Sequence, residues 1–376
     1  TRYWRDWSSD VCSSDLRGLG QNGGGGKPGE TSVALTIKAH NLATARDLFG
    51  VVSARRPNLS HTKIYIVGEE LARKGLTSVF GPIMRFREFR GSMYLVVVNN
   101  GTAAEFINKN RSRLESLPSR YYESMMLSYQ EGAYFLPSNI HYFYTRLKSN
   151  SGSPYAALVG INPNTGEDQP TGHKHPAFRA DAYLAGDVPR KQQPETGVEF
   201  AGTALFNKEG KMVAKLSTIE TRMLSILMGL PVSGYLVFTD PLKPKEKINI
   251  EFRPGEKPKT TVKIIDGRAH ITIDVLVEGQ ITSISSGIQY EKRELMDQLE
   301  KYVSQVLEDE CRQLLSRTQA IGVDPVGFGF HARPQFRTYQ EFKAVDWERL
   351  YKEAEITVKV KTRIRRTGLM LKTTSD

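Results

Sequence analysis

The sequence predicts an α+β / α/β multidomain protein: three mixed α/β domains, the last with a C-terminal antiparallel sheet packed by a long helix. Three observations carry this expectation. Apolar runs of strand length alternate with amphipathic runs of helix length through the first third of the chain. A Ser-, Gly- and Pro-rich interval then breaks the rhythm. Period-two strands and one long apolar-striped helix fill the last third. The 376 residues suffice for two or three domains, each with its own core.

Residues 1–30 are expected to lie outside the fold. "RDWSSDVCSSDL" (Arg5–Leu16) has no helical or strand period, and it resembles the translation of a sequencing-adapter oligonucleotide. Residues 1–16 are therefore read as a non-native leader joined to a truncated chain, and residues 1–30 as leader plus a disordered glycine-rich loop. "GLGQNG" matches the spacing of a dinucleotide fingerprint, but a glycine run and Pro28 follow where a helix N-terminus must receive the pyrophosphate. "GGGGKP" fails as a phosphate loop, because Gln21 replaces its first glycine and Pro28 its metal-binding hydroxyl.

An N-terminal α/β domain is predicted over residues 31–148, incomplete at its start. "SVALTIKA", "KIYIVG" and "MYLVVV" read as strands. Between and after them, helices are predicted over "NLATARDLFGVVSARR", capped by Asn41, over "EELARKGLTSVFGPIMRF" with a break near Gly81–Pro82, and over "TAAEFINKNRSRLE". Strands alternating with helices imply a largely parallel sheet, with one unpaired edge if strands are missing. Aromatic helical segments then run to Lys148.

Residues 149–197 read as a linker-rich segment, and 198–242 as a middle domain of strand, turn, strand, a helix "TIETRMLSILMG" capped by Thr218, and a strand. The C-terminal domain spans 243–376. There "TTVKIID" and "HITIDVLVEGQITSI" form a hairpin about Asp266–Gly267, followed by a helix from about Glu291 to Arg317 with Leu295, Leu299, Val303, Val306 and Leu307 on one face. In the last strand, "EITVKVKTRIRR", Ile356, Val358, Val360 and Ile364 share one face. Lys359, Lys361, Arg363 and Arg365 share the other, and Arg366 follows them.

Composition narrows the function. With Lys+Arg 52 against Asp+Glu 41, the formal net charge is +11, which favours an anionic neighbour. No apolar run is long enough to cross a bilayer. Of the two cysteines, Cys12 falls in the leader and Cys311 on a helix's apolar stripe, so no disulfide framework exists. No metal site is expected, since His173 and His175 lack further ligands nearby. His61 and His270 beside strands read as structural, and His331 as a turn residue. No nucleophile–base motif appears. Glu69, Glu70 and Glu220 read as capping or surface carboxylates. Nucleic acid is not expected, because the cationic strand lacks interleaved aromatics for stacking on bases.

Four stretches, in order, carry a family resemblance: "SHTKIYIVGEELARKGL" (Ser60–Leu76), "VEFAGTALFNKEGKMVAKLSTIETRMLSIL" (Val198–Leu227), "DPVGFGFHARPQF" (Asp324–Phe336) and "VKVKTRIRRTGL" (Val358–Leu369). Through them the chain resembles the Ger(x)C spore germination proteins, the lipoprotein C subunits of germinant receptors. The resemblance implies a non-enzymatic receptor subunit without cofactor, on the outer face of the inner spore membrane beside membrane-embedded A and B subunits. It also implies a signal and an acylated cysteine in the full-length parent. Neither occurs in this sequence, and Cys12 is no substitute, because no apolar segment precedes it. Lys359, Lys361, Arg363, Arg365 and Arg366 are the candidate contact to an anionic membrane surface or an acidic partner face. The alternative is a module that binds a small nutrient directly in a pocket between domains.

Overall fold

The computed structural model describes residues 36–39, 42–53, 58–110, 118–162, 182–189 and 197–366. The leader, the glycine-rich loop, Asn41, the first half of "SVALTIKA", and His173 and His175 lie outside the described residues, and the second half of "SVALTIKA", residues 36–39, forms no strand. The first elements are α1 (Leu42–Ser53), β1 (Ile64–Gly68), α2 (Glu69–Lys74), α3 (Thr77–Arg85), β2 (Tyr94–Asn99) and α4 (Ala103–Lys109). Next come α5 (Pro118–Leu127), α6 (Tyr129–Gly132), β3 (Ser138–Asn139), α7 (Ile140–Lys148) and β4 (Tyr155–Ile161). Then follow β5 (Val198–Phe206), β6 (Met212–Leu216), α8 (Thr218–Leu227), β7 (Gly234–Thr239), β8 (Lys247–Pro254), β9 (Lys259–Ile265) and β10 (Arg268–Ile284). The chain closes with α9 (Arg293–Ala320), α10 (Phe328–Ala332), α11 (Tyr339–Ala344), α12 (Trp347–Lys352) and β11 (Glu355–Arg366).

The first sheet has the order β1-β2-β4-β5-β6, with β3 appended to β2. Its first two pairings are parallel and the next two antiparallel. Continuous apolar runs such as "YLVVV" are buried on both faces, as parallel strands require. On one side Val67, Leu95 and Val97 meet Phe80 and Ile83 of α3 and Phe143 of α7. On the other, Val96 and Val98 meet Phe106 of α4 and Tyr122 and Met126 of α5. The predicted strands β1 and β2 and the helix after each are present. The helical break, however, falls at Gly75, whose φ of 120° favours glycine, while Pro82 lies inside α3.

Two boundaries read from sequence are corrected. Residues 149–197 are not all linker, because β4 is a buried strand in the middle of the first sheet. Residues 198–242 are not a middle domain, because β5 and β6 extend the first sheet while β7 joins the second. The reason is burial. All nine residues of β5 are buried, so the strand needs partners on both edges and cover on both faces, and β4 and β6 supply the edges. The described strands thus form two sheets.

The second sheet runs β11-β10-β8-β7, with β9 beside the first half of β10. It is antiparallel except for the parallel β10–β11 pair. The β9–β10 hairpin turns at Asp266 and Gly267, whose φ values of 49° and 76° are the left-handed pair such a two-residue turn demands. One face packs on the long helix α9 through Leu299, Val303, Val306 and Leu307, as the sequence predicts, and its core also takes in α8 and α12. The helix runs to Ala320, slightly beyond the predicted end.

A polar clasp ties the first half to the second. The buried Arg146 of α7 donates through Nη1 to the Ser153 carbonyl at 2.8 Å and the Pro325 carbonyl at 2.7 Å, and its guanidinium stacks over Tyr142 and Tyr155. Asp324 accepts from the Gly327 and Gly329 amides and from Trp347 Nε1 at 2.9 Å. Its own carbonyl accepts from the Ser153 amide at 2.6 Å. Much of "DPVGFGF" is therefore a joint between the halves.

Candidate functional site

Alternation along β11 sorts its side chains as the sequence predicts. Val358, Val360, Thr362 and Ile364 are buried, and Lys359, Lys361, Arg363, Arg365 and Arg366 are exposed. Because β11 pairs with β10 in parallel register, Lys359 lies opposite Asp274 and Arg363 opposite Glu278. Across β10, Lys259 of β9 also lies opposite Asp274, and Arg253 of β8 opposite Glu278. Two rows therefore read cation, carboxylate, cation across the open face of the sheet.

The ion pairs fall unevenly. Arg365 gives Nε and Nη2 to one oxygen of Glu278 at 2.9 and 2.7 Å. Arg253 binds Glu251 on its own strand at 2.8 Å, and His270 Nδ1 lies 3.2 Å from Glu355. Lys359, Lys361, Arg363, Lys259, Lys263 and Arg268 make no ion pair among the described residues. These cations leave the face with excess positive charge in a high-dielectric setting, where it acts at a distance rather than as a local bond. Lys259, Lys263, Arg268 and Arg253 escaped sequence reasoning. Only cross-strand register shows that they share a face with β11.

The other singled-out residues do structural work. Glu220 accepts from the Ser217 amide at 2.8 Å and pairs with Arg317 of α9. The cap of α8 is thus Ser217 in a reciprocal capping box, not Thr218. Glu69 bridges Lys215 at 2.7 Å and the Asn100 amide at 2.8 Å. Burial pushes its carboxyl up, but the bonds from Lys215, Asn100 and Arg73 outweigh this and hold it below the usual range. Glu70 pairs with Lys74 one turn along. Cys311 is buried 3.9 Å from Met223 Sδ, and burial pushes its thiol up, away from reactivity. His331 sits in α10 rather than a turn, and burial holds its imidazole below the usual value. Among the described residues no three His, Cys, Asp or Glu side chains gather as a metal site, and no helix is long and apolar enough to cross a membrane.

The arrangement is that of a two-sheet α+β scaffold with an open cationic sheet face. Residues 12–161 match the family described as spore germination protein N-terminal domain, and residues 201–368 the one described as spore germination B3/GerAC like, C-terminal. The chain belongs to the GerC-type spore germination proteins, carrying both their N- and C-terminal parts. It is 25% identical over 351 residues to spore germination protein KC of Bacillus subtilis (strain 168), covering 93% of this chain and 82% of that one. It is 22% identical over 358 residues to the putative spore germination protein YfkR of the same organism, covering 95% and 85%. The crystal structure of the GerBC protein shares the fold, with a TM-score of 0.59 at 19% identity over 89% of this chain and 85% of that one.

Proposed function

We propose that this chain acts as a non-enzymatic subunit of a nutrient germinant receptor, with its open C-terminal sheet face turned to an anionic surface. The family is one of germinant receptor subunits, which supports the receptor setting. In that setting the subunit sits at the outer face of the inner spore membrane, lipid-anchored in its full-length form, beside membrane-embedded A and B subunits. The observation that carries the orientation is the row Lys359, Lys361 and Arg363, cations without an ion pair among the described residues, reinforced by Lys259, Lys263 and Arg268 on the same face. Arg365 adds less, because Glu278 already neutralises it, and Arg366 extends the row at its end. Each basic residue near an anionic membrane contributes about 1 kcal/mol, so the set is strong enough to orient a tethered domain.

Co-sedimentation with phosphatidylglycerol-rich and phosphatidylcholine vesicles tests this reading. The protein is expected to bind the anionic vesicles, to release as salt rises, and to ignore the zwitterionic ones. The triple variant Lys359→Ala, Lys361→Ala, Arg363→Ala should lose most of that binding. Equal binding by variant and parent at moderate salt would reject a lipid-facing role.

A further inference from the structure

The turn between β7 and β8 is ordered by hydrogen bonds yet leaves a leucine in water. Asp240, buried at its base, accepts through Oδ1 from the Leu242 amide at 2.8 Å, the Lys243 amide at 3.1 Å and the Tyr290 hydroxyl at 2.6 Å. The Glu246 amide donates to the Lys243 carbonyl at 2.8 Å, and the Asp240 amide to the Glu246 carbonyl at 3.0 Å. Pro241 and Pro244 restrict the backbone further. On this fixed frame the Leu242 side chain is 47% exposed. Lys243, Lys245 and Lys247 follow it, all exposed and without an ion pair among the described residues, while Glu246 is half-buried. Lys243 Nζ donates to the Ser286 carbonyl at 2.7 Å, which leaves its charge unneutralised. Lys247 opens β8 on the side of Asn249, Glu251 and Arg253, opposite the buried Ile248, Ile250 and Phe252. The turn therefore stands at the rim of the open sheet face.

We propose that this turn is the lipid-inserting element of the protein, with Leu242 entering the acyl boundary of an anionic bilayer and Lys245 and Lys247 meeting headgroup phosphates. The assignment rests on the membrane-facing reading of the sheet and adds an apolar contact to it. Charges alone hold a membrane loosely and release it as salt rises, whereas a leucine buried in lipid leaves water whatever the ionic strength. An acidic protein face would pair the lysines and leave Leu242 against charge. An anionic bilayer offers phosphate at its surface and hydrocarbon just beneath, which is the order in which the turn presents lysine and leucine. Because the backbone is already fixed, insertion orders no loop.

The full-length chain carrying Cys12→Ser and Leu242→Cys, labelled with nitrobenzoxadiazole, provides the test, since Cys311 is buried and stays unlabelled. Phosphatidylglycerol-rich vesicles should shift the label's emission to the blue, and lipid carrying a nitroxide on its acyl chain should quench it. Phosphatidylcholine vesicles should do neither. A label at Gln305→Cys, on the helix that covers the opposite face of the sheet, should stay silent. In the unlabelled chain, Leu242→Asp should weaken binding to anionic vesicles about tenfold or more at an unchanged melting midpoint, and Leu242→Phe should keep it. A label left unquenched in bound protein, equal binding by Leu242→Asp and the parent, or the same blue shift with polyglutamate would each overturn the insertion. The two readings fail separately. Binding lost in the Lys359→Ala, Lys361→Ala, Arg363→Ala variant with a silent Leu242 label keeps the sheet face and overturns the turn, and a parent that binds no anionic vesicle overturns both.

Discussion

The carboxylate of Glu300 accepts a hydrogen bond from the backbone N–H of Ile364 at 2.6 Å. It is the first of three such bonds from α9 to the outer edge of β11. Ser304 Oγ accepts from the Thr362 amide at 2.8 Å, and Glu308 from the Val360 amide at 3.2 Å. Four residues of helix rise about 6 Å, close to two residues of strand, so one helix face meets three successive outward N–H groups. An edge strand that would otherwise offer free donors to another chain is closed by side chains.

Glu300→Ala should therefore destabilise the protein by about 1–3 kcal/mol, the cost of leaving a donor without its acceptor. Glu300→Gln keeps an acceptor and should recover most of that loss. Urea denaturation gives the energies, and amide exchange at Ile364 should quicken in the alanine variant alone. Equal losses in both variants would mean that packing, not the hydrogen bond, holds the edge.

Asp324 is the second test, because three donors converge on one buried carboxylate. Removing it leaves those donors unsatisfied and loosens the joint between the sheets, so Asp324→Ala should cost about 3 kcal/mol or more. Trp347 loses its partner in the same variant, and its fluorescence should shift well before the unfolding transition. Gly329→Ala attacks the same joint by bulk alone, since its Cβ would overlap the Asn150 carbonyl.

Glu220 gives a smaller effect of a different kind. Its capping bonds to Ser217 and its pair with Arg317 are local to the start of α8. Glu220→Ala should cost about 1 kcal/mol, as loss of a cap does, with Glu220→Gln close to the parent in thermal melts. A much larger loss would show that the pair with Arg317 holds α8 to α9.

These joints explain what could be read from sequence and what could not. Period-two alternation along β10 and β11 and the apolar stripe of α9 are local patterns, and each falls where the sequence places it. The β4 strand was hidden because its apolar run "YAALVGI" is short and embedded in Ser-, Gly- and Pro-rich flanks. The allegiance of β5 was invisible for another reason: strand pairing across some forty residues leaves no periodic trace. The same holds for the cationic face. The β11 charges declare themselves by alternation, whereas Lys259, Lys263 and Arg268 join them only through register.

Acid should weaken the fold through Asp240, at the turn after β7. Burial pushes this carboxyl up, but hydrogen bonds from Ser286, from the Tyr290 hydroxyl at 2.6 Å, and from the Leu242 and Lys243 amides outweigh it and hold it below the usual range. A folded value below the unfolded one means that the ionised form stabilises the native state. That stability is complete above the unfolded carboxylate value of about 4 and is lost as pH falls through the folded one. Urea midpoints taken between about pH 7 and pH 3 should therefore fall less steeply in Asp240→Asn than in the parent, although the variant starts lower at neutral pH. Tyr290→Phe removes one of the bonds that depress the carboxyl, so its acid transition should begin at higher pH than the parent's. A parallel fall in all three proteins would assign the acid sensitivity to other carboxylates and leave Asp240 as a turn cap without a role in the pH response.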